Sequence, residues 1–239
     1  MDSIKFLYPS WPAPVHIRAA TTLCPSGLDL SIHNNEHAIH SAKLAKLLAL
    51  PSPPIWLNQT HGNNVVWAEA LMDSRPEADA SIANYGNTVC AVLTADCLPI
   101  LLCDIDGQQI AAIHAGWRGQ VAGIIEATVN EMTVPASKLL AWLGPAIGPA
   151  VYEVGADVYG QVMHMAANLP ENLFFQSLGN EKWLMNLYAI ARYKLQALGI
   201  PPTQIFGGEY CTYSNPSLFY SYRRSKTTKR MASVIWFSL

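Results

Sequence analysis

The sequence is short of charge: Asp, Glu, Lys and Arg together make up 13% of its 239 residues, against roughly 25% in a typical soluble domain. A chain of this length can bury a sizeable core, and its 51% of hydrophobic residues predict that it does. We expect a single domain over residues 1–239, with a homo-oligomer as one way of covering the remaining apolar surface.

Neither sign of charge is in large excess. The formal net charge of −2 excludes a general attraction to nucleic acid or to an anionic membrane surface, so small molecules are the expected partners. The one basic concentration is YRRSKTTKR at residues 222–230. Such charge runs are usually solvated loops, and an anion-binding edge is the alternative. The pair Arg223 and Arg224 could close over a pocket or stay in solvent.

Long apolar runs and paired cysteines are also missing. The start of the chain has no charged segment followed by an unbroken apolar stretch, as a signal peptide would, and no run approaches the ~18 apolar residues of a membrane span. The five cysteines, at positions 24, 90, 97, 103 and 211, form no CxxC pair, and their odd number fits reduced thiols. We therefore expect a cytoplasmic protein without disulfides or membrane insertion.

The apolar periodicity predicts a mixed α+β fold. The segment NEHAIHSAKLAKLLAL has helical spacing and should end near Leu50. Short apolar runs predict strands at IWLNQ, NVVWAEA, TVCAVLT, PILLCDI and QIAAIHA, with a hairpin turn at Asp106-Gly107 between the last two. From Gly119 onward the patterns predict a helix at GQVAGIIEATVNEM, a strand at LLAWLG, helices at GADVYGQVMHMAANL and KWLMNLYAIARYKLQALG, and a final strand at ASVIWFSL.

Three polar side chains interrupt apolar segments: His61 in NQTHGNN, Cys97 in TADC and His114 in IHAG. An ionisable group in an apolar run needs a partner, because burial without one is costly. At the ends of neighbouring strands the three side chains would meet in one pocket. Two imidazoles and one thiolate are good ligands for Zn²⁺, and three protein ligands with an open fourth position are typical of catalytic zinc.

Two other interpretations use the same residues. Each histidine could be a satisfied polar residue at a strand end, and Cys97 a small buried hydrophobe, since free cysteine is commonly just buried. Cys97 could also be a nucleophile with His114 as its base, as in a cysteine hydrolase. The spacing matches no local zinc motif, so the residues alone leave all three interpretations open.

The segment HAGWRGQVAG is typical of a phosphate-binding turn. Gly116 and Gly119 would let the backbone approach a ligand, a helix beginning near Gly119 would offer free N–H groups, and Arg118 would offer a rigid set of donors. A tight strand-to-helix turn with Arg118 in solvent explains the pattern about as well. In GPAIGPAVYEVG, Tyr152 and Glu153 could contact substrate or belong to a rigid connection.

The segment HNNEHAIH is a second histidine cluster. Its His33, His37 and His40 would share one face of a helix. An exposed polar helix face explains the spacing more simply than a metal site, and we expect the former.

Six motifs, in register over residues 20–236, resemble the YfiH-like or laccase-domain family, also called polyphenol oxidase or peptidoglycan editing factor. They are NQTHGN, RPEADA, TADCLPILL, HAGWRG, GPAIGPAVYEVG and CTYSNPSLFYSYRR. The resemblance implies a single-domain α+β fold, a four-layer α/β/β/α sandwich with mixed sheets. It also implies a zinc site, which favours the metal interpretation of His61, Cys97 and His114.

The resemblance implies activities as well. Many family members are regarded as purine nucleoside phosphorylases, which implies phosphorolysis of adenosine, inosine and methylthioadenosine, together with deamination of adenosine. Members are also linked to the removal of wrongly built peptidoglycan precursors. The catalytic domain of cytotoxic necrotizing factor shares the fold, and its cysteine chemistry keeps an alternative: a hydrolase or amidase that edits a cell-wall precursor, with Cys97 as nucleophile and His114 as base.

For the nucleoside reactions each candidate residue has an expected role. Zinc on the two histidines and Cys97 would activate a water or polarise the substrate. Asp96 or Glu153 would carry the proton in deamination, although an extended backbone at residues 94–97 would point Asp96 away from Cys97. Arg118 and the helix end at Gly119 would bind the phosphate.

Copper oxidation is not expected, despite one of the family's names. Several coppers need many histidines, usually in His-x-His pairs, and the chain has seven histidines and no such pair. One site with mixed nitrogen and sulfur ligands suits zinc better, although Cu²⁺ would bind it at least as tightly in vitro.

The sequence departs from the family pattern in two places. The family's Asp-Leu before the late helix is Asn186-Leu187 here, and its Asn-Arg in the first helix is His40-Ser41. The first departure loses a carboxylate, which puts any role of that carboxylate in ligand positioning in doubt.

Overall fold

Two large β-sheets packed face to face, with helices on both outer faces, form the core of the protein. The computed structural model describes residues 5–70, 75–84, 86–166 and 169–238. The strands are β1 (Phe6–Leu7), β2 (Ile17–Thr22), β3 (Val65–Trp67), β4 (Ala80–Ala83), β5 (Val89–Thr94), β6 (Leu98–Asp104), β7 (Ile110–Ala115), β8 (Leu139–Leu143), β9 (Glu153–Gly155), β10 (Phe175–Gly179), β11 (Lys182–Met185), β12 (Ile205–Gly207) and β13 (Met231–Phe237). The helices are α1 (His37–Leu48), α2 (Trp117–Ala122), α3 (Ile124–Glu131), α4 (Ala156–Met165), α5 (Leu187–Ala197) and α6 (Tyr222–Ser225).

The strands form one antiparallel and one mixed large sheet. The first sheet has the order β1-β2-β13-β5, and its neighbours are all antiparallel. The second has the order β12-β8-β6-β7-β4-β3, with parallel pairs at both edges. A small antiparallel sheet, β10-β11-β9, lies apart from both in pairing. The predicted mixed α+β class is confirmed.

The core between the two large sheets comes from alternate residues of their strands. In β6, Leu101 and Cys103 belong to one cluster with Val92 and Ile235 of the first sheet, whereas Leu102 belongs to the cluster under the helices. Side chains alternate between the two faces of a strand. A strand that is buried on both faces is therefore apolar along its length, which explains the unbroken run LPILLCD.

Helices cover the outer face of each large sheet. Helices α3, α4 and α5 pack on the second sheet through residues that include Ile125, Val162 and Leu195. Helix α1 packs on the first sheet through Leu44. The layers follow the order helix, sheet, sheet, helix, so the expected four-layer α/β/β/α sandwich is confirmed. Within the described ranges, no helix combines the length and apolar character that crossing a bilayer requires.

Several predicted elements are present. Helix α1 ends at Leu48, and Ala49 follows it in the left-handed conformation with φ 49°. Strands β6 and β7 pair as the predicted hairpin, with Gly107 at φ 69° in its turn. The strands predicted at LLAWLG and ASVIWFSL are β8 and β13.

The prediction of a strand at IWLNQ is wrong. Within the described part of the chain this segment makes isolated bridges at Ile55 and Asn58 but no continuous ladder. The side chain of Gln59 instead pairs with the backbone of Leu93, accepting its N–H at 2.7 Å and donating to its carbonyl at 2.8 Å. A side-chain amide thus replaces the backbone pairing that the β-branched pattern predicts.

Two predicted helices also need correction. The residues KWLM form strand β11 after a turn with positive φ at Gly179, Asn180 and Glu181, so helix α5 begins only at Leu187. The prediction overlooked the Gly-Asn turn signal. The helix predicted at GQVAGIIEATVNEM is broken at Gly123, whose φ of 90° ends α2 and precedes α3.

Helix α5 begins with a side-chain cap at the position where the sequence departs from the family's aspartate. The Asn186 Oδ1 accepts the backbone N–H of Ala189 at 3.0 Å. Asparagine and aspartate cap helices about equally well. The substitution therefore keeps the capping function of this position.

We expect Asn186→Ala to lower the free energy of unfolding by about 1 kcal/mol, because the Ala189 N–H loses its acceptor. Asn186→Asp should change that free energy by only a few tenths of a kcal/mol. Urea unfolding of both variants, followed by circular dichroism, measures the difference. An equal loss in the two variants would contradict the capping role.

Candidate metal centre

Three side chains from distant parts of the sequence meet at one point. Ligand atoms of His61, Cys97 and His114 all lie within 4.8 Å of one another. The Cys97 Sγ is 3.8 Å from the His61 Nε2, and the two imidazole rings meet edge to face with centroids 4.7 Å apart. In the described part of the chain, this is the one group of three or more His, Cys, Asp or Glu residues close enough to share a metal ion.

The second sheet supplies two of these side chains, and a loop supplies the third. His114 lies in β7 opposite Pro99, and Cys97 directly precedes β6. His61 lies in a bend before β3, with φ 63°. The expectation that all three lie at strand ends is therefore wrong for His61, because the segment before it forms no strand.

A buried carboxylate organises the site. The Asp79 Oδ1 lies 2.7 Å from the His114 Nδ1 and accepts the backbone N–H of His61 at 3.0 Å. Its Oδ2 accepts the N–H of Gly62 at 2.8 Å and both the N–H and the hydroxyl of Thr60 at 3.2 Å. Because Nδ1 of His114 bonds to the carboxylate, its Nε2 is the nitrogen left for the cluster.

Asp79 is a site residue that the sequence analysis missed. It stands in the RPEADA motif, directly before β4, and is completely buried. The sequence did offer a signal, because Asp79 is an acidic residue directly before the apolar run ASIA. A carboxylate buried at such a position needs several hydrogen-bond donors around it, which makes it a candidate for organising a site.

Electrostatics in the cluster favour a thiolate beside a protonated imidazole. Burial by itself raises the pKa of the Cys97 thiol, but His114 and His61 outweigh burial and lower it to about 6. Burial also disfavours protonation of His114, but Cys97 and Asp79 raise its pKa to about 9. For Asp79, burial raises the pKa, and the hydrogen bonds from His114 and the loop lower it overall. Thiolate is the form of cysteine that binds metals and attacks electrophiles.

The two glycines of the predicted phosphate turn pack against the cluster. A Cβ at Gly116 would lie 2.9 Å from the Cys97 Sγ, and one at Gly119 would lie 3.2 Å from the carbonyl oxygen of Gly62. Helix α2 begins at Trp117, two residues before the predicted start near Gly119. Gly119 lies inside the helix and is buried, and both glycines are needed for close packing around the ligands.

A cleft of about 690 Å³ lies over the cluster. Its walls combine cationic side chains, which attract anions, with aromatic side chains, which offer flat surfaces to a heterocyclic ring. The cationic residues are Arg118, Arg223, Lys226 and Arg230, and the aromatic ones are Trp117, Tyr152 and Tyr222.

The basic segment 222–230 is more than a solvated loop. Arg223, Lys226 and Arg230 line the cleft, and so does Arg118 of the HAGWRG motif. Arg224 instead fastens the segment to the preceding loop, because its guanidinium donates to the backbone carbonyls of Thr212, Tyr213 and Phe219. Of the two interpretations left open, the anion-binding edge agrees with this placement.

Neither carboxylate predicted to carry a proton is free beside the cluster. Both Asp96 oxygens are occupied, one by the Thr212 hydroxyl and one by the Arg223 N–H, each at 2.6 Å. The Glu153 carboxylate pairs with Lys182 at the surface and does not belong to the described lining of the cleft. The hydrogen bond from Lys182 lowers the pKa of Glu153.

The histidines of HNNEHAIH do not form an exposed polar helix face. Helix α1 begins at His37, which leaves His33 outside it. The His37 side chain is buried with its ring edge-on to Trp56. The His40 Nδ1 lies 2.8 Å from the carbonyl oxygen of Asp29. The expectation of an exposed face is wrong because α1 packs this side against the preceding loop.

The residues at the cluster fit a metal ion. A thiolate and two imidazoles are nitrogen and sulfur donors of the kind that first-row metals prefer. A carboxylate on the far nitrogen of one ligating histidine is the usual outer partner of such a site. Three donors beside an open cleft leave room for a further ligand.

The chain is similar to several known proteins over nearly its whole length. Residues 26–238 match the family described as multi-copper polyphenol oxidoreductase laccase. The chain is 42% identical to purine nucleoside phosphorylase YfiH of Escherichia coli K12, over 97% of this chain and 98% of that protein. It is 40% identical, over the same shares, to a purine nucleoside phosphorylase of Pseudomonas aeruginosa. A crystal structure of a Neisseria meningitidis protein, 37% identical, has a TM-score of 0.91 over 99% of this chain and 100% of that one.

We expect Asp79→Asn to weaken Zn²⁺ binding by about 10- to 100-fold, the usual effect of losing the outer partner of a ligating histidine. Titration of metal-free protein with Zn²⁺ against a chromophoric chelator measures this affinity. Asp104→Asn is the matched control, because Asp104 is equally buried and accepts backbone N–H groups in the β6–β7 turn. Equal loss of Zn²⁺ affinity in both variants would contradict the role of Asp79.

We expect Gly116→Ala to weaken Zn²⁺ binding by about ten-fold or more, because its methyl group would displace the Cys97 sulfur and disturb the ligand shell. The φ of −62° at Gly116 suits alanine, so the effect is steric and not a backbone strain. Gly160→Ala is the control, since its Cβ would meet no atom within 4 Å. The chelator titration compares the two, and unchanged affinity in Gly116→Ala would contradict the contact.

Proposed function

The chain belongs to the multi-copper polyphenol oxidoreductase laccase family, and from that premise we propose that it is a zinc-dependent purine nucleoside phosphorylase. The observation that carries this proposal is the His61, Cys97 and His114 cluster at a cleft lined by cations and aromatic rings. Relatives that match nearly the whole chain are named purine nucleoside phosphorylases. We include adenosine, inosine and methylthioadenosine as substrates, and deamination of adenosine as a second reaction.

The donor set supports zinc rather than an array of coppers. Multicopper chemistry needs several clusters of histidine ligands, and the described part of the chain brings one group of three ligands together. Mixed nitrogen and sulfur donors in a three-residue site are typical of catalytic zinc. Cu²⁺ would compete for the same donors in vitro.

Each part of the site has a task in phosphorolysis. Zinc, when bound, supplies Lewis-acid polarisation of a substrate oxygen. Asp79 holds the ring of His114 and the backbone of His61 in place. Arg118 binds the phosphate, whose oxygen forms a bond to the ribose carbon as the bond from that carbon to the purine nitrogen breaks. The aromatic wall, with Trp117 and Tyr152, packs against the purine.

Deamination is the less supported part of the proposal. It requires a group that moves a proton to the departing amine. Asp96 has both oxygens occupied, and Glu153 pairs with Lys182 away from the cleft. The contacts therefore support nucleoside phosphorolysis more strongly than deamination.

A cysteine hydrolase or amidase is the second candidate, and one observation favours it. The carboxylate of Asp79 bonds to His114, and both His114 and His61 lower the pKa of the Cys97 thiol. An acid, a base and a thiolate in this order form the arrangement of a nucleophilic triad. The substrate in that case would be an amide of a cell-wall precursor.

We also propose a cellular location, a domain organisation and partners for the protein. The five cysteines are all free, as is usual in a reducing compartment, and this supports a cytoplasmic location. Strands of both large sheets pack in a common core, which supports a single domain over residues 1–239. The homo-oligomer stays a prediction. Nucleoside and phosphate are the proposed partners.

We expect purified, zinc-loaded protein to release hypoxanthine from inosine only when phosphate is present. In Cys97→Ala the rate of hypoxanthine release should fall at least about 100-fold, because the substitution removes a metal ligand. Cys24→Ala is the matched control, a partly exposed cysteine outside the cleft. Chromatographic analysis of products, with zinc content measured in each sample, gives the result.

Other outcomes select between the candidates. Absence of hypoxanthine release from folded, zinc-loaded protein would overturn the phosphorylase proposal. Amide hydrolysis that survives complete chelation, with covalent labelling of Cys97 by an amide substrate analogue, would establish the hydrolase instead. Conversion of adenosine to inosine, followed in the same samples, tests the deaminase reaction separately.

A further inference from the structure

Asp96 occupies a strained position directly before a metal ligand. Its φ is 99°, a left-handed value that residues with a Cβ seldom adopt. Its side chain is buried, and its carbonyl oxygen accepts the N–H of Ile147 at 2.9 Å. Cys97 follows it immediately. The surrounding structure therefore compensates the strain at Asp96 with several contacts.

The carboxylate of Asp96 joins two segments that are far away in the sequence. Its Oδ1 accepts the hydroxyl of Thr212, and its Oδ2 accepts the backbone N–H of Arg223. Asp96 itself lines the cleft, but both of its carboxylate oxygens already accept a short hydrogen bond. Its charge instead stabilises the start of α6, where Ser221 Oγ also accepts the N–H of Arg224 at 3.1 Å.

The Arg223 side chain continues from this anchor into the cleft. Its guanidinium donates to the carbonyl oxygen of Glu153 at 2.8 Å and lies 5.0 Å from the centre of the Tyr152 ring. The Arg118 guanidinium lies 4.4 Å from the centre of the neighbouring Trp117 ring, so each of the two arginines stacks on an aromatic ring of the cleft wall. Both residues line the cleft that contains the Cys97 cluster.

We propose that Asp96 is a positioning residue that fastens Arg223 beside the metal centre, and that Arg223 and Arg118 together bind the phosphate. This inference rests on the proposed phosphorolysis for its ligand. It assigns Asp96 a role different from proton transfer, because its carboxylate acts through the backbone of Arg223. Binding of the anion is thereby coupled to the loop that carries Cys97.

The test is a double-mutant cycle on the zinc-loaded protein, with phosphate as the varied substrate and inosine saturating. We expect Arg223→Gln to raise KM for phosphate about ten-fold or more, because a charged donor to the phosphate is lost, with kcat within about two-fold. Asp96→Asn should raise the same KM. In the Arg223→Gln background Asp96→Asn should add less than about two-fold, since residues that act as one unit are not additive.

Lys229→Gln is the matched control, a cation of the same segment whose ammonium lies over Tyr220 and outside the cleft lining. It should leave KM for phosphate unchanged. Thr212→Val removes the other partner of the Asp96 carboxylate and gives a second test if Asp96→Asn does not fold. It should raise KM for phosphate with little change in kcat.

A binding measurement separates this inference from the proposed function. Inorganic phosphate should raise the Tm of the zinc-loaded wild-type protein and of Lys229→Gln equally, whereas Arg223→Gln should need about ten-fold more phosphate for the same shift. If this holds without any phosphorolysis, the proposed function fails and the phosphate site stands. Absence of the Tm shift in wild-type protein would overturn the inference. Fully additive losses of kcat from Asp96→Asn in both backgrounds would also overturn it, because they would place Asp96 in the chemical step.

Discussion

The arrangement of the His61, Cys97 and His114 cluster depends on the buried carboxylate of Asp79. Asp79 is completely buried, and burying a charged carboxylate costs folding free energy unless hydrogen-bond donors surround it. This carboxylate receives the backbone N–H groups of three consecutive residues, 60–62, and the ring of His114. The loop has to turn around the carboxylate to bring those donors inward, which accounts for the left-handed backbone of His61. One group therefore sets the position of two of the three side chains in the cluster.

The third side chain of the cluster, Cys97, is placed by the register of a hairpin. The last pair of the β6–β7 ladder is Leu98 with Ala115, and Cys97 and His114 are the residues directly before these two. The tight turn at Asp106 and Gly107 sets that register. A slip of one residue would turn His114 to the opposite face of the sheet and break the cluster. The Cys–His pair is thus a product of local structure, whereas His61 joins it through the long-range contact with Asp79.

The difference between local and long-range contacts also explains what the sequence could predict. The β6–β7 hairpin, helix α1 and the buried strands follow from turn residues and periodicity, and the three polar breaks at His61, Cys97 and His114 do meet. At Gln59 a side-chain amide takes the place of a backbone ladder, and the alternation of apolar residues that predicts strands carries no information on such a contact. The partners of Asp79 and Asp96 lie tens to over a hundred residues away in the chain, as with Thr212, and spacing alone does not identify them.

The geometry around the Cys97 sulfur bears on the choice between a metal ligand and a nucleophile. A low thiol pKa serves both roles. A nucleophile needs one base, and His114 with Asp79 would suffice for that. The second imidazole, with its Nε2 3.8 Å from the sulfur, has no task in a triad, but a metal ion uses all three donors. Gly116 closes one side of the sulfur, since even a Cβ at this position would lie 2.9 Å from it, and the cleft is the open side from which a substrate can reach the site. The cations at Arg118 and Arg223 line that same cleft, so an anionic group of the substrate would be held next to the metal centre.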